Sequence, residues 1–377
     1  MMDKRVGNVQ LMQKMNRLTI LNYLRENKVA NRHDISKKTN LSLSSVTNII
    51  NYLMSKDIIV SDGVLPEDRV GRRTDLLRFN PTAYNLICVR VSYGEFTVYF
   101  TDLFGNVLNK KVCSQGNKDT LLDNIMNEVA FLLTKVPASR VIGVGIVLSA
   151  LVLKEDIYSA HLNWHMKINK RELSEKIGKP VFVENISITR AVWELKTKAK
   201  QDGKVLFADL ADGIRAVFFT GGKINKSVVG KIGHTTVKAD GRECTCGNHG
   251  CLEAMCSLEN ICRDCGFDSF EECLTAFGRG DESVAREFEK CGEYIGIGLA
   301  NLVNIFNPDS IHINCGEYPE SIIDRATEVV YERATSILLQ NLRFYRINVT
   351  QEDAVKGTAA YVCDRIFSLD FDGGIIE

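Results

Sequence analysis

Between Gly233 and Glu253 the chain carries His234, Cys244, Cys246 and Cys251, one imidazole and three thiols within a short stretch. Deprotonated, these four make a complete tetrahedral donor set for zinc with no position left for water, so the ion they suit is structural rather than catalytic. Gly247 and Gly250 allow the sharp reversal that returns Cys251 to the Cys244/Cys246 pair. Leu252 to Met255 reads as the first turn of a helix, so the ion would fasten a loop to a helix start. On residue types alone His249 is an alternative fourth donor, and ordinary buried or surface cysteines are the alternative to a metal site.

The elements that must position this cluster belong to a chain of 377 residues, 45% hydrophobic and 25% charged, the balance of a soluble globular protein with two or three domains. Formal net charge is zero, but residues 1–80 hold 14 Lys/Arg against 8 Asp/Glu, leaving the rest acidic by the same margin. A basic N-terminal unit on an acidic body points to a polyanionic partner for the first unit only. Twelve cysteines are too sparse for a disulfide scaffold in a chain of this length. The N-terminus reads polar rather than as a signal peptide, and the longest apolar run, 141–153, is short and broken by Gly143, Gly145 and Ser149. These features predict a cytoplasmic protein with reduced thiols and no membrane partner.

In residues 1–80, Leu18, Ile20, Leu21 and Leu24 recur at helical spacing, predicting a helix over 9–27. A short second helix through Asp34 to Lys38, a turn at 39–42 and a third helix from Ser44 follow. The third helix puts Val46, Ile49, Ile50 and Leu53 on one face and Ser45, Thr47, Asn48 and Asn51 on the other, with Ser44 as its expected cap. Two short helices around a tight turn are the layout of a helix-turn-helix, and amide and hydroxyl side chains suit base edges in double-stranded DNA. Strands at 58–63 and 76–79 would form a wing. Between them Arg72 and Arg73, on a glycine loop, are candidates for the minor groove or for phosphates. The DNA-contact candidates are thus Ser44, Ser45, Thr47, Asn48, Asn51, Arg72 and Arg73.

From Gly230-Lys231-Ile232-Gly233-His234 through Cys244-Thr245-Cys246-Gly247 to Gly250-Cys251-Leu252-Glu253 the chain resembles the ROK family of repressors, open reading frames and sugar kinases. The resemblance selects His234 over His249 as fourth zinc ligand, its other ring nitrogen facing a sugar. It implies an α/β body of two ribonuclease-H-like lobes, as in actin and sugar kinases, behind a winged helix. A strand-strand-strand-helix-strand order from Leu86 to Leu148 fits the first lobe. The expected organisation is 1–80 winged helix-turn-helix, 81–192 plus 354–377 first lobe, and 193–353 second lobe with the zinc site and a dimerisation surface. No internal sequence repeat is visible.

A kinase of this family needs four parts. The phosphate loop Asp-x-Gly-Gly-Thr reads Arg90-Val91-Ser92-Tyr93-Gly94, with a tyrosine where backbone must approach phosphate. The second phosphate loop reads Leu210-Ala211-Asp212-Gly213-Ile214-Arg215. The general base of Glu-Asn-Asp is replaced in Glu184-Asn185-Ile186, and isoleucine accepts no proton. The adenosine-side triple glycine reads Asn314-Cys315-Gly316. Phosphoryl transfer is therefore not expected.

Of the family's sugar contacts, Asn185, His234 and Glu253 match, whereas Ile186 and Lys231 replace two carboxylates. The candidate ligand set is Asn185, Lys231, His234 and Glu253. Lys231, with Arg215 and Arg90, would favour an anionic ligand such as a sugar phosphate; a Lys231 ion pair with Glu253 or Glu184 would instead leave the pocket vestigial. A recognition helix covers few base pairs, so a homodimer or homotetramer is expected.

Overall fold

The computed structural model describes residues 4–27, 29–64, 75–117, 119–153, 155–159, 164–197, 203–225 and 232–371. Leu18, Ile20, Leu21 and Leu24 are buried on one side of helix α1 (Lys4–Glu26), which begins earlier than the apolar spacing alone indicates. Asn31 caps α2 (Arg32–Thr39) by accepting from the N–H groups of His33 and Asp34. Asn40 closes α2 in the left-handed conformation, φ 56°, and starts the turn. Helix α3 (Leu43–Ser55) is capped by Ser42 rather than Ser44: the Ser42 hydroxyl accepts from the Ser45 N–H at 3.2 Å. Val46, Ile50 and Leu53 are buried beneath it. Strands β1 (Ile59–Val64) and β2 (Asp75–Phe79) pair antiparallel as the wing.

The first lobe is built from β3 (Asn85–Val91), β4 (Glu95–Asp102), β5 (Val107–Ser114), α4 (Leu121–Leu133), β6 (Val141–Leu148), α5 (Lys170–Ile177) and β10 (Val181–Asn185), with a small sheet of β7 (Leu151–Val152), β8 (Asp156–Ser159) and β9 (Trp164–Lys167) inserted. Helix α6 (Ile186–Thr197) leads to the second lobe. That lobe comprises β11 (Lys204–Asp209), β12 (Arg215–Thr220), β13 (Lys223–Ile224), α7 (Leu252–Cys256), α8 (Leu258–Cys265), α9 (Phe270–Gly278), α10 (Glu282–Phe306), β14 (Ser310–Asn314), α11 (Glu320–Arg333), α12 (Ser336–Leu339) and β15 (Arg343–Ile347). The main sheets run β5-β4-β3-β6-β10 and β13-β12-β11-β14-β15, each with three antiparallel strands followed by two parallel ones. The same topology occurs twice without a sequence repeat, because the fold demands only that the apolar pattern recur.

Every residue of β6 is buried, since helices cover both faces of this central strand. The final helix, α13 (Gln351–Ile366), crosses it closely: a Cβ at Gly145 would lie 2.6 Å from Val362 Cγ2. The acidic stretch from Asp281 and the glycine-rich stretch from Tyr294 form one helix, α10, capped by Asp281. Gly296 lets α11 approach it, a Cβ there lying 2.5 Å from Val329 Cβ.

Winged helix and first lobe share one apolar core. Leu21, Leu24 and Phe79 pack into the same buried cluster as Leu86, Cys88, Val362 and Phe367. Phe79 meets Phe104 and Phe367 with ring centroids 5.5 and 6.3 Å apart. The head is therefore mortised onto the lobe rather than tethered.

Candidate functional site

The side-chain donors of His234, Cys244, Cys246 and Cys251 all lie within 4.8 Å of one another. His234 closes a 3-10 turn (Ile232–His234), and Cys251 is the residue immediately before α7. Cys244 and Cys246 sit on a loop closed by hydrogen bonds from Cys244 N–H to the Asn248 carbonyl (2.7 Å) and from Gly247 N–H to the Cys244 carbonyl (2.8 Å). Gly247 and Gly250 both adopt positive φ, 87° and 66°, and a Cβ on Gly250 would lie 1.6 Å from the Lys238 carbonyl oxygen. His249 is exposed and outside the cluster.

The spacing suits an ion. Zinc–sulfur bonds of about 2.3 Å at tetrahedral angles put sulfur atoms about 3.8 Å apart, with sulfur to nitrogen slightly less. Cys246 Sγ and Cys251 Sγ are 3.7 Å apart, and Cys244 Sγ is 3.5 Å from His234 Nδ1. Without a cation the thiols do not ionise together. Burial pushes Cys251 up to about 12 and Cys244 above its ordinary value. Burial opposes ionisation of Cys246 too, but the hydrogen bond at the Asn248 backbone and its sulfur neighbours bring it below the usual thiol value. A divalent ion is the group that would hold all three as thiolates.

Helix α7 joins this cluster to a cleft of about 460 Å³ between the lobes, lined by Arg90, Ser149, Ile186, Asp212, Glu253 and Arg263 among others. Glu253 Oε2 accepts from the Ile214 N–H at 3.4 Å, and a Cβ on Gly233 would lie 2.6 Å from that same oxygen. Asn185 is buried: Nδ2 donates to the Ala150 carbonyl at 2.6 Å and Oδ1 accepts from the Ser187 N–H at 2.8 Å, opening α6. Of the sugar-contact candidates, Glu253 lines the cleft, Asn185 is buried one residue before the lining Ile186, His234 belongs to the His/Cys cluster, and Lys231 lies outside the described residues. Glu184 accepts from the Tyr361 hydroxyl at 2.7 Å.

Beside the cleft, the end of β3 and the β11–β12 loop are tied together by side chains. Arg190 of α6 pairs with Asp209 at 3.2 Å and Asp212 at 2.5 Å, and Arg90 reaches Asp212 at 3.7 Å. Arg215 donates to the Asp212 carbonyl and, at 2.7 Å, to Ser149 Oγ. Burial would raise the pKa of Asp209, but Arg190 and the Asn314 amide hold it below the ordinary carboxylate range. Sequence reasoning singled out Arg90 and Arg215 but missed Arg190, Asp209 and Ser149. A lone arginine in a helix carries no signal until its two carboxylates are brought to it.

On the head, Asn48 and Asn51 are exposed on α3, as is Ser44. The Ser45 hydroxyl bonds to Ser42 Oγ at 2.9 Å, and Thr47 Oγ1 donates to the Leu43 carbonyl at 2.8 Å, so both partly serve their own helix. Arg72 and Arg73 lie outside the described residues.

A family model described as ROK family matches residues 86–364, and one described as winged helix-turn-helix DNA-binding matches 16–60. The chain is 26% identical over 320 residues to the xylose repressor of Bacillus spizizenii, covering 81% of this chain and 83% of that protein. It is 22% identical over 380 residues to the DNA-binding transcriptional repressor Mlc of Escherichia coli, covering 93% and 91%. Among solved structures, a ROK family transcriptional regulator homologous to Mlc superposes with TM-score 0.79 at 22% identity, over 93% of this chain and 96% of that one. A ROK glucokinase from Streptomyces griseus superposes with TM-score 0.60 at 19% identity, over 74% and 98%. The chain belongs to the ROK family, with a winged helix-turn-helix preceding a body of sugar-kinase-like fold.

Proposed function

We propose that this protein is a DNA-binding transcriptional repressor whose kinase-like body has lost phosphoryl transfer and reads an effector in its inter-lobe cleft. The observation that carries the reading is a winged helix-turn-helix, with Asn48 and Asn51 exposed on α3, sharing a core with a body whose cleft is lined by Ile186. Repressor names among full-length relatives support the same direction.

In this reading Zn²⁺ is the ion held by His234, Cys244, Cys246 and Cys251, and it fixes α7 and hence Glu253. The effector is a sugar or an anionic sugar derivative. Glu253 and Lys231 contact it, with His234 at the margin and Asn185 as support. Ser44, Ser45, Thr47, Asn48 and Asn51 face bases or phosphates, with Arg72 and Arg73 in the minor groove or on phosphates. Units 1–80, 81–192 plus 354–377, and 193–353 act as head, first lobe and second lobe. The protein works in the cytoplasm as a homodimer or homotetramer on a two-fold operator.

The test is selection of genomic fragments by purified protein, followed by titration of the enriched duplex with neutral and phosphorylated sugars. Release by one sugar class, with no sugar phosphate formed from ATP, is expected. Failure to enrich any fragment, or ATP-dependent phosphorylation of a hexose, overturns the reading. Enrichment without release by any sugar would favour an effector-independent DNA-binding protein.

A further inference from the structure

Helix α6 has one end in the cleft and the other beside α13, at a residue of α13 that also meets the head. Its first residue, Ile186, lines the cleft, and Arg190, one turn on, holds Asp209 and Asp212 of the second lobe. Its last turn carries Lys196, whose Nζ lies 3.0 Å from Asp364 Oδ1 on α13. The same oxygen takes Arg25 Nη2 of α1 at 2.9 Å, and the Arg25 guanidinium lies 5.2 Å above the Phe367 ring. Between these ends α6 is keyed into α13: a Cβ on Gly357 would lie 2.1 Å from the Thr189 carbonyl oxygen.

We infer that α6 and α13 form a relay that makes the seating of the winged helix depend on the state of the cleft floor, with Asp364 as the junction. The inference rests on the cleft being the regulatory site. The physical reason is stiffness. A helix of three turns packed backbone to backbone against its neighbour cannot bend locally, so a shift at Arg190 is passed to Lys196 as a tilt. Asp364 is half-exposed, and such a pair adds little to overall stability. Its consequence is positional: one carboxylate oxygen is shared by the moving helix and the head. Arg25, less exposed than its partner and held against Phe367, cannot follow Asp364 without disturbing the base of α1.

The test needs neither effector nor DNA, so a flat sugar screen or a failed fragment selection leaves it standing, and its own failure leaves DNA binding untouched. Amide hydrogen exchange is followed in the full chain for wild type, Asp212→Asn, Lys196→Gln and the double variant. Asp212→Asn loosens the cleft floor while Arg190 keeps Asp209, so the fold survives. The expected result is a change of about threefold or more in exchange at residues 18–26 as well as at 209–215, with the α1 response lost in the double variant and the response at 209–215 retained. The relay is overturned if 209–215 responds and α1 does not, or if α1 responds equally with glutamine at position 196. No response at 209–215 would equally count against it, because Asp212 would then not gate the cleft floor.

Discussion

Replacing Arg190 by methionine probes the cleft floor most directly. Arg190 and Asp209 are both buried, 4% and 0% exposed, and their side chains meet at 3.2 Å. Asp212, 30% exposed, keeps solvent and Arg90 after the change, whereas buried Asp209 loses its paired cation and keeps the Asn314 amide at 2.7 Å and the Ala211 N–H at 3.2 Å. Removing one partner of a buried pair costs about 3–5 kcal/mol, because the remaining charge is uncompensated. With a denaturation slope of about 2–3 kcal/mol per M, the urea midpoint should fall by roughly 1–2 M. Tryptophan emission reports the transition, since Trp193 lies on the same helix.

The pH dependence gives a second, opposite signature. In the wild type Asp209 has a folded pKa below its unfolded value, so its contribution is present above about pH 3.9 and lost as pH falls through the lower folded value. Without Arg190 the largest influence opposing burial is gone, and the folded pKa is expected to move upward, past the unfolded one. The variant is then penalised in full at neutral pH and recovers as pH falls through the raised value. Its deficit should shrink as pH falls from 7 into the acid range. Asp209→Asn in the Arg190→Met background should restore about half the loss, since the orphaned charge is gone. A deficit below about 1 kcal/mol at pH 7, or one independent of pH, would refute the claim that this pair holds the floor.

Two further outcomes follow from the other sites. Cys251→Ser should lower bound metal from about one ion per chain to a small fraction, read by elemental analysis, together with a fall in the melting temperature of the second lobe. Asn51→Ala should weaken binding to a selected duplex by about 1–3 kcal/mol while leaving the salt dependence unchanged, read by titration at several salt concentrations.

Much of this molecule was legible along the chain because its signals are local. The Cys-x-Cys, glycine bend and third cysteine lie close enough in sequence that closing the loop dictates the cluster. The apolar spacing of Leu18, Leu21 and Leu24 and of Val46, Ile50 and Leu53 marks helices whichever partners they meet. Boundaries were less secure: α3 begins under Ser42, since whichever hydroxyl reaches an open N–H becomes the cap. Asn185 matches a sugar contact by position, and its amide also bonds to the Ala150 carbonyl and the Ser187 N–H, contacts that depend on a strand and a helix start meeting in space.

Sequence by itself determined the His/Cys cluster, the helix-turn-helix, the isoleucine at position 186 and membership of the ROK family, because each depends on residue type at short range. Only the tertiary structure decided that Arg190 bridges Asp209 and Asp212, that the head shares a core with the first lobe, and that Asp364 serves both α1 and α6. Those contacts join residues far apart in the chain, and the energy of a buried charge or a shared core is set by what surrounds it after folding, which no spacing rule encodes.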